Sequence, residues 1–326
     1  MSWFFLFLSL GLCAAAPPVI IAHRGASGYL PEHTLEAVAM AHAMGADFIE
    51  QDVVLSRDGV PVVLHDIHLD DVTDAEERFP ARKRDDGRWY ALDFTLAELK
   101  TLRAHERVDR KTGRQVYPGR FHHDAGSFRI PTLEEELALI RGLNHSTGRS
   151  AGLYVELKQP AWHRKQGHDL SAVVLEVLRR HGFRTRADAC WLQCFEWAEV
   201  QRLRTELRWE GRLLWLTSGP KKDAPEDPRF TAAGLKELAA VADGIGPALG
   251  AVVEGKRGSP RHIAPWIAPA KAAGLELHAW TLRTDELPAW ATTPDDVLTA
   301  ILKEAHASGL FTDFPDIAVH WRNAHP

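Results

Sequence analysis

The chain has 326 residues, 45% of them hydrophobic and 25% charged, with a formal net charge of −5. That is a globular composition with material for one large domain or two modest ones. Lysines and arginines are interspersed with aspartates and glutamates, which excludes the concentrated basic stripe of a nucleic-acid binder.

The first element is the apolar run Trp3 to Leu12, followed by small residues and the pair Pro17-Pro18. It is too short to span a bilayer and has the form of a secretory signal peptide cut after Ala15 or Ala16. Residues 1–16 are therefore expected to be a leader, and residues 17–326 a single exported domain with no stable membrane insertion. Such a domain keeps only Cys190 and Cys194. Four residues apart on one strand, they would stand about 13 Å from each other, beyond the roughly 7 Å reach of a disulfide. Both are expected to act as buried small hydrophobes.

Short β-rich runs follow in chain order: VIIAH (19–23), FIEQDVV (48–54), GLYVELK (152–158), CWLQCF (190–195), RLLWL (212–216), DGIG (243–246), LELHAW (275–280) and GLFTDF (309–314). Helical patterns such as TLEAVAMAHAMG, TLEEELALIRGL, LSAVVLEVLRRHG and EWAEVQRLRTEL lie between most of them. Strands alternating with helices imply a parallel sheet, because parallel neighbours need a crossover. Eight such strands predict an α/β fold of the (β/α)8, TIM-barrel type. Thr34 and Thr132 stand at N-cap positions, and Gly45, Gly142, Gly182 and Gly274 are expected at helix ends.

The run PVVLHD, 61–66, follows the second strand after too few residues for a crossover. With Asp58-Gly59 between them, the two runs predict a hairpin whose return brings His65 to the barrel rim. Residues 66 to about 130 are dense in both charges and carry one helical signal, TLAELKTL. They read as an inserted lobe, which together with a barrel of about 250 residues accounts for the rest of the chain.

Glu50 and Asp52 are two apart on a strand and so face the same way. Glu156 and Lys158 repeat the arrangement in the third barrel strand. This brings three carboxylates to the C-terminal ends of neighbouring strands, the rim where such barrels keep their active sites. Close carboxylates repel unless they share a proton or a cation, and an all-oxygen set suits Ca2+ or Mg2+. A salt bridge from Lys158 to Glu156 or Asp52 is the purely structural alternative. His23 and His65 leave β-segments at the same rim, beside Arg24 and Lys158. Two imidazoles, two fixed positive charges and a cation site are the equipment of phosphoester cleavage. Gln193 and Trp280 end later strands, where Trp280 could wall a glycerol backbone or a cationic head group. His68 and His122-His123-Asp124 are read as solvated residues of the lobe. Gly25 is expected to let the chain turn and a substrate approach; Glu32 either orients Arg24, lines the pocket, or favours the helix that follows.

The motifs HRGASGYLPEHTLEA, FIEQDVVLSRDGVPVVLHD, VELK, LQCF, ADGIGP and GLFTDFPD resemble those of the bacterial periplasmic glycerophosphodiester phosphodiesterases. Within the lobe HLDDVTDAEERFP, DGRWYALDFTLAELKTL and YPGRF, and beyond it GLNHSTG, resemble the long, exported form. The resemblance implies one divalent cation, Ca2+ or Mg2+, on Glu50, Asp52 and Glu156, with His23 and His65 as acid and base. It further implies phosphate contacts from Arg24 and Lys158, and a small-molecule glycerophosphodiester as the substrate. The chain departs from the common pattern at His33, where PENT is usual, and at Trp280, where a tyrosine is frequent. Neither change removes a ligand or an acid/base group. A lipid-cleaving relative of the same barrel would need an apolar rim, which the charged lobe argues against. A binding protein without turnover would have lost a carboxylate or a histidine, and all five are present.

Overall fold

Eight short apolar runs pair in parallel and close on themselves in the computed structural model, which describes residues 16–220 and 227–325. Apart from Ala16, the expected leader lies outside the described residues. The strands are β1 (Val19–Ala22), β2 (Phe48–Leu55), β4 (Gly152–Leu157), β5 (Cys190–Cys194), β6 (Arg212–Thr217), β7 (Gly244–Pro247), β8 (Glu276–Leu282) and β9 (Gly309–Thr312). They match the eight runs read from the sequence. Neighbours pair in chain order, and β1 closes the ring by pairing with both β2 and β9. Helices cover the outside, so the strands are buried on both faces, as parallel barrels require. Even the polar residues of FIEQDVVL and GLYVEL are buried.

Between β2 and the lobe, β3 (Pro61–Val63) pairs antiparallel with the end of β2, turning at Gly59 (φ 76°). The hairpin forms because Gly59 takes the left-handed conformation and the Ser56 and Val60 backbones join at 3.0 Å. The Leu64 amide then donates to the Asp52 carbonyl at 2.8 Å, which delivers His65 to the mouth of the barrel.

Aromatic residues plug the N-terminal half of the barrel. Tyr154 stacks on Trp191 with ring centroids 5.8 Å apart and meets Phe48 and Phe311 edge-on. Its hydroxyl and His278 Nδ1 share a hydrogen bond of 2.7 Å. Each plug residue lies two positions before a polar one on its own strand: Phe48 before Glu50, Tyr154 before Glu156, Trp191 before Gln193. The period of two therefore stacks a polar layer directly on an aromatic floor.

Thr34 and Thr132 cap their helices as expected, and Thr132 forms a reciprocal capping box with Glu135. Gly45, Gly182 and Gly274 follow helix ends with positive φ. Gly142 does not end a helix. Helix Leu133–Thr147 runs through it and stops at Gly148, φ 70°. A glycine inside a helix costs only about 1 kcal/mol, and the turn beyond it is held because Asn144 bonds both His42 and the Ala151 backbone.

Residues 66–130 form the expected lobe, charged outside but with an apolar core of its own. Trp89, Phe94, Leu99 and Leu102 are buried against Val54 and Val62 of the hairpin. The TLAELKTL signal becomes the short helix Leu96–Leu99 with a Thr95/Glu98 capping box. Cys190 and Cys194 are free and buried, as expected. Among the described residues no helix is long and apolar enough to cross a membrane.

Replacing Thr132 by Ala removes the capping box without touching the barrel mouth. A loss of about 1 kcal/mol is expected in chemical denaturation, with turnover unchanged; a loss of turnover would mean that the helix entry also shapes the mouth.

Candidate active site

Barrel register brings the polar layer together. Asp52 of β2 lies beside Glu156 of β4, and Glu156 beside Gln193 of β5. Glu50, one pleat below Asp52, points to the same interior. One carboxylate oxygen from each of Glu50, Asp52 and Glu156 lies within 4.8 Å of the other two, and all three residues are buried.

Their charges are unequal. Burial, then the charges of Asp52 and Glu156, push the Glu50 carboxyl well above its ordinary range. Burial and Asp52 likewise raise Glu156, to about 8, against the pull of Lys158. At Asp52 burial acts upward too, but Lys158 and a hydrogen bond from His33 prevail and hold the group well below its ordinary value. Lys158 Nζ donates to Glu156 Oε1 at 2.6 Å and lies 3.5 Å from Asp52 Oδ1; the structural alternative for this lysine is thus present. Even so, Asp52 Oδ1 has no hydrogen-bond partner, and two of three acids remain pushed toward the neutral form. An all-oxygen, electron-rich set with an orphaned buried oxygen fits a hard divalent cation.

Arg24 follows β1 in the left-handed region at φ 57°, an uncommon conformation for a side chain of its size. Its backbone N–H donates to Glu50 Oε2 at 2.8 Å, and its Nε lies 3.5 Å from Asp52. Two of the readings of Glu32 hold together: Arg24 Nη1 donates to its Oε2 at 3.0 Å, and it lines a cavity with His23, Arg24 and His65. Gly25 takes φ 81°, but the close approach that it permits is to the helix at Ala37, 2.8 Å from where a Cβ would stand, and not to the cleft.

His23 and His65 face a common cleft of about 390 Å³ together with Arg24 and Lys158. His23 Nδ1 and Asp313 Oδ1 are 2.6 Å apart; the carboxylate can only accept, so Nδ1 carries the proton and Nε2 is left for chemistry. His65 Nδ1 lies 3.0 Å from Asp66 Oδ1, at ion-pair distance though off hydrogen-bond alignment. Burial, followed by the charge of Arg24, lowers His23 from 6.5 to about 3. Burial, then Arg24 and Lys158, lowers His65 to about 4. Both shifts favour the neutral form of the ring.

Gln193 Nε2 donates to Glu50 Oε1 at 3.2 Å. Trp280 lines the cleft, fixed by its Nε1 donating to the Gly246 carbonyl at 2.8 Å, and Phe195 meets it edge-on. Trp280, Phe195, Leu216 and Phe311 make one apolar wall. His68 packs on Tyr90, and His122 and His123 lie in the lobe; none of the three lines the cleft.

Two contributors escaped the sequence reading. Asp313 follows β9 as His23 follows β1, and barrel closure makes those strands neighbours; the quoted GLFTDFPD run held the signal. His33, seen only as a departure from the usual pattern, places Nε2 2.8 Å from Asp52 Oδ2.

Comparison with known proteins gives these residues a family context. The Glycerophosphoryl diester phosphodiesterase family matches residues 23–317. A glycerophosphodiester phosphodiesterase of Haemophilus influenzae is 39% identical over 324 residues, covering 93% of this chain and 89% of that protein. One of Treponema pallidum is 36% identical over 341 residues, covering 97% and 95%. Among solved structures, the fold is shared with an Oleispira antarctica phosphodiesterase in complex with the product sn-glycerol-3-phosphate. That likeness has a TM-score of 0.64 at 22% identity and covers 94% of this chain and 97% of that one. A glycerophosphodiester phosphodiesterase from Agrobacterium tumefaciens shares the fold with a TM-score of 0.60 at 23% identity, over 93% and 99%.

The lowered imidazoles bind protons less readily folded than unfolded, so their stabilisation is present above pH 6.5 and lost as pH falls toward 4 and 3. Raised Glu156 acts in the opposite sense, with stabilisation present below 4.5 and lost as pH rises through about 8. In chelator-treated protein, the His23 and His65 ring resonances are expected to stay at their neutral positions at pH 5. A completed shift by that pH would show that the rings are not held neutral.

Proposed function

This chain belongs to the glycerophosphoryl diester phosphodiesterase family, and from that premise we propose that it hydrolyses glycerophosphodiesters with His23 and His65 as its acid and base. As a member it is a glycerophosphodiester phosphodiesterase. The proposed substrates are glycerophosphocholine, glycerophosphoethanolamine and similar diesters, and the products are sn-glycerol 3-phosphate and an alcohol. The product complex of the Oleispira antarctica phosphodiesterase supports that product. The observation that carries the reading is one cleft faced by two imidazoles, two fixed cations and buried carboxylates.

One imidazole, in its neutral form, takes the proton of the attacking hydroxyl while the other, in its protonated form, gives a proton to the departing alkoxide, the charge of the anionic diester favouring that protonated form. Asp313 holds His23 so that Nε2 is its working atom, and the Asp66 charge stands behind His65. Arg24, fixed by Glu32 and by its own backbone bond to Glu50, presents a guanidinium to the phosphate oxygens. Lys158 adds a second positive charge beside it while neutralising part of the acid cluster. Gln193 keeps Glu50 in place, and the wall of Trp280 and Phe195 suits the carbon edge of glycerol or a choline head group.

Glu50, Asp52 and Glu156 are proposed to hold one divalent cation, Ca2+ before Mg2+, which when bound would supply Lewis-acid polarisation of a phosphoryl oxygen. Export to the periplasm belongs to the same proposal, supported by the apolar run Trp3 to Leu12 and the small residues after it. Cell fractionation is expected to recover the activity with the periplasm, and recovery in the cytosol would refute export.

Purified protein is expected to release glycerol 3-phosphate from glycerophosphocholine, to stop in excess EDTA and to resume with added Ca2+. His23→Ala and His65→Ala are each expected to lose on the order of 10²-fold or more in rate. Full activity in EDTA would remove the cation from the reading; near-normal turnover in either variant would remove that histidine.

A further inference from the structure

Three carboxylates stand behind the reacting groups, and each is held from its far side by an arginine of the inserted lobe. Asp313 gives Oδ1 to His23 at 2.6 Å and Oδ2 to Arg120 at 2.8 Å. Asp66 has Oδ1 3.0 Å from His65 and gives Oδ2 to Arg107 at 2.9 Å. Glu32 accepts from Arg24 on Oε2 at 3.0 Å and from Arg107 on both oxygens, Oε1 at 2.6 Å and Oε2 at 3.2 Å. In every case a carboxylate that meets a group at the chemistry is also bound by an arginine of the inserted lobe.

These arginines are not solvated surface charges. The Arg120 side chain is 5% exposed and that of Arg107 is 18% exposed. Arg120 also grips Asp285 with Nε and Nη2, at 2.8 and 3.0 Å, donates to the Ser27 carbonyl, and lies over the Tyr117 ring at 3.8 Å. Arg107 spreads its fork over two carboxylates at once, a geometry that a planar guanidinium permits and an ammonium does not. A carboxylate with one free oxygen can pivot about its bond to the imidazole. With both oxygens bound it cannot, and the ring that it holds is fixed in turn.

We infer that Arg107 and Arg120 are positioning residues: through Glu32, Asp66 and Asp313 the lobe sets the orientation of Arg24, His65 and His23, and does not merely cover the cleft. This rests on the acid/base reading of the two histidines. The two arginines differ in reach. Arg120 acts on His23 alone, sharing Asp313 with Arg283, whose Nε lies 3.0 Å from Oδ2. Arg107 acts on the phosphate-facing Arg24 as well as on His65.

The test is steady-state hydrolysis of glycerophosphocholine by full-length Arg107→Met, Arg120→Met and Arg84→Met, beside His23→Ala and His65→Ala. Arg84 is the control, since its guanidinium pairs with Asp93 and stacks on Tyr90 inside the lobe. Arg120→Met is expected to lower kcat on the order of 10- to 100-fold with KM little changed. Arg107→Met should lower kcat and raise KM, and Arg84→Met should alter neither. Adding Asp313→Asn to Arg120→Met should cost no more than Asp313→Asn alone, because the two lie on one chain of contacts. Should a methionine variant unfold, the lysine variants are read in its place: Arg120→Lys can still pair with Asp313 and recovers much of kcat, whereas Arg107→Lys cannot span Glu32 and Asp66 and does not. Wild-type kcat in the arginine variants, with both histidine variants inactive, would overturn the inference and leave the acid/base reading standing. An equal loss in Arg84→Met would overturn it in favour of simple lobe stability. Near-normal turnover in His23→Ala and His65→Ala would instead overturn the acid/base reading itself.

Discussion

Mutual repulsion among three buried carboxylates is the constraint around which the molecule is arranged. Glu50, Asp52 and Glu156 crowd within 4.8 Å of one another, away from the water that would otherwise solvate them. Their nearest company is whatever can offset that cost: Lys158 on Glu156, the Arg24 amide and Gln193 on Glu50, His33 on Asp52. The fit is incomplete, with one oxygen of Asp52 unpartnered. An oxygen-rich cluster of this kind draws positive charge to itself, and Arg24 and Lys158 line the cleft beside it.

The fold was legible because the barrel strands obey a simple rule. Buried on both faces, they read as continuous apolar runs, and the few polar residues inside them are conspicuous. Glu50, Asp52, Glu156 and Gln193 could be found in that way, and the short Asp58-Gly59 connection revealed the return that carries His65. What could not be read is pairing over distance. His23 and Asp313 are 290 residues apart, Arg120 and Asp313 are 193 apart, and Arg107 and Glu32 are 75 apart. A charged residue in the lobe looks the same in sequence whether it faces water or a buried carboxylate. Gly142 shows the converse error: a local helix-stop signal was present, but the contacts of Asn144 outweighed it.

The lobe is joined to the barrel by two different forces. Its apolar core grows from the hairpin through Val54 and Val62, which fixes where it sits without demanding a particular angle. Directional ion pairs at the rim then select the angle, and with it the width of the cleft. The exposed large apolar side chains among the described residues, Val116 on the lobe and Phe195 on the barrel, both line the space between them.

His23 stands just past β1 and Asp313 just past β9, and the two strands meet only where the barrel closes. The seam is fastened again at its other end, where Arg322 of the last helix binds Asp47 and the Pro18 carbonyl. A chain still being synthesised has its first histidine but lacks the residue that orients it, so the pair exists only once the final strand has closed the ring.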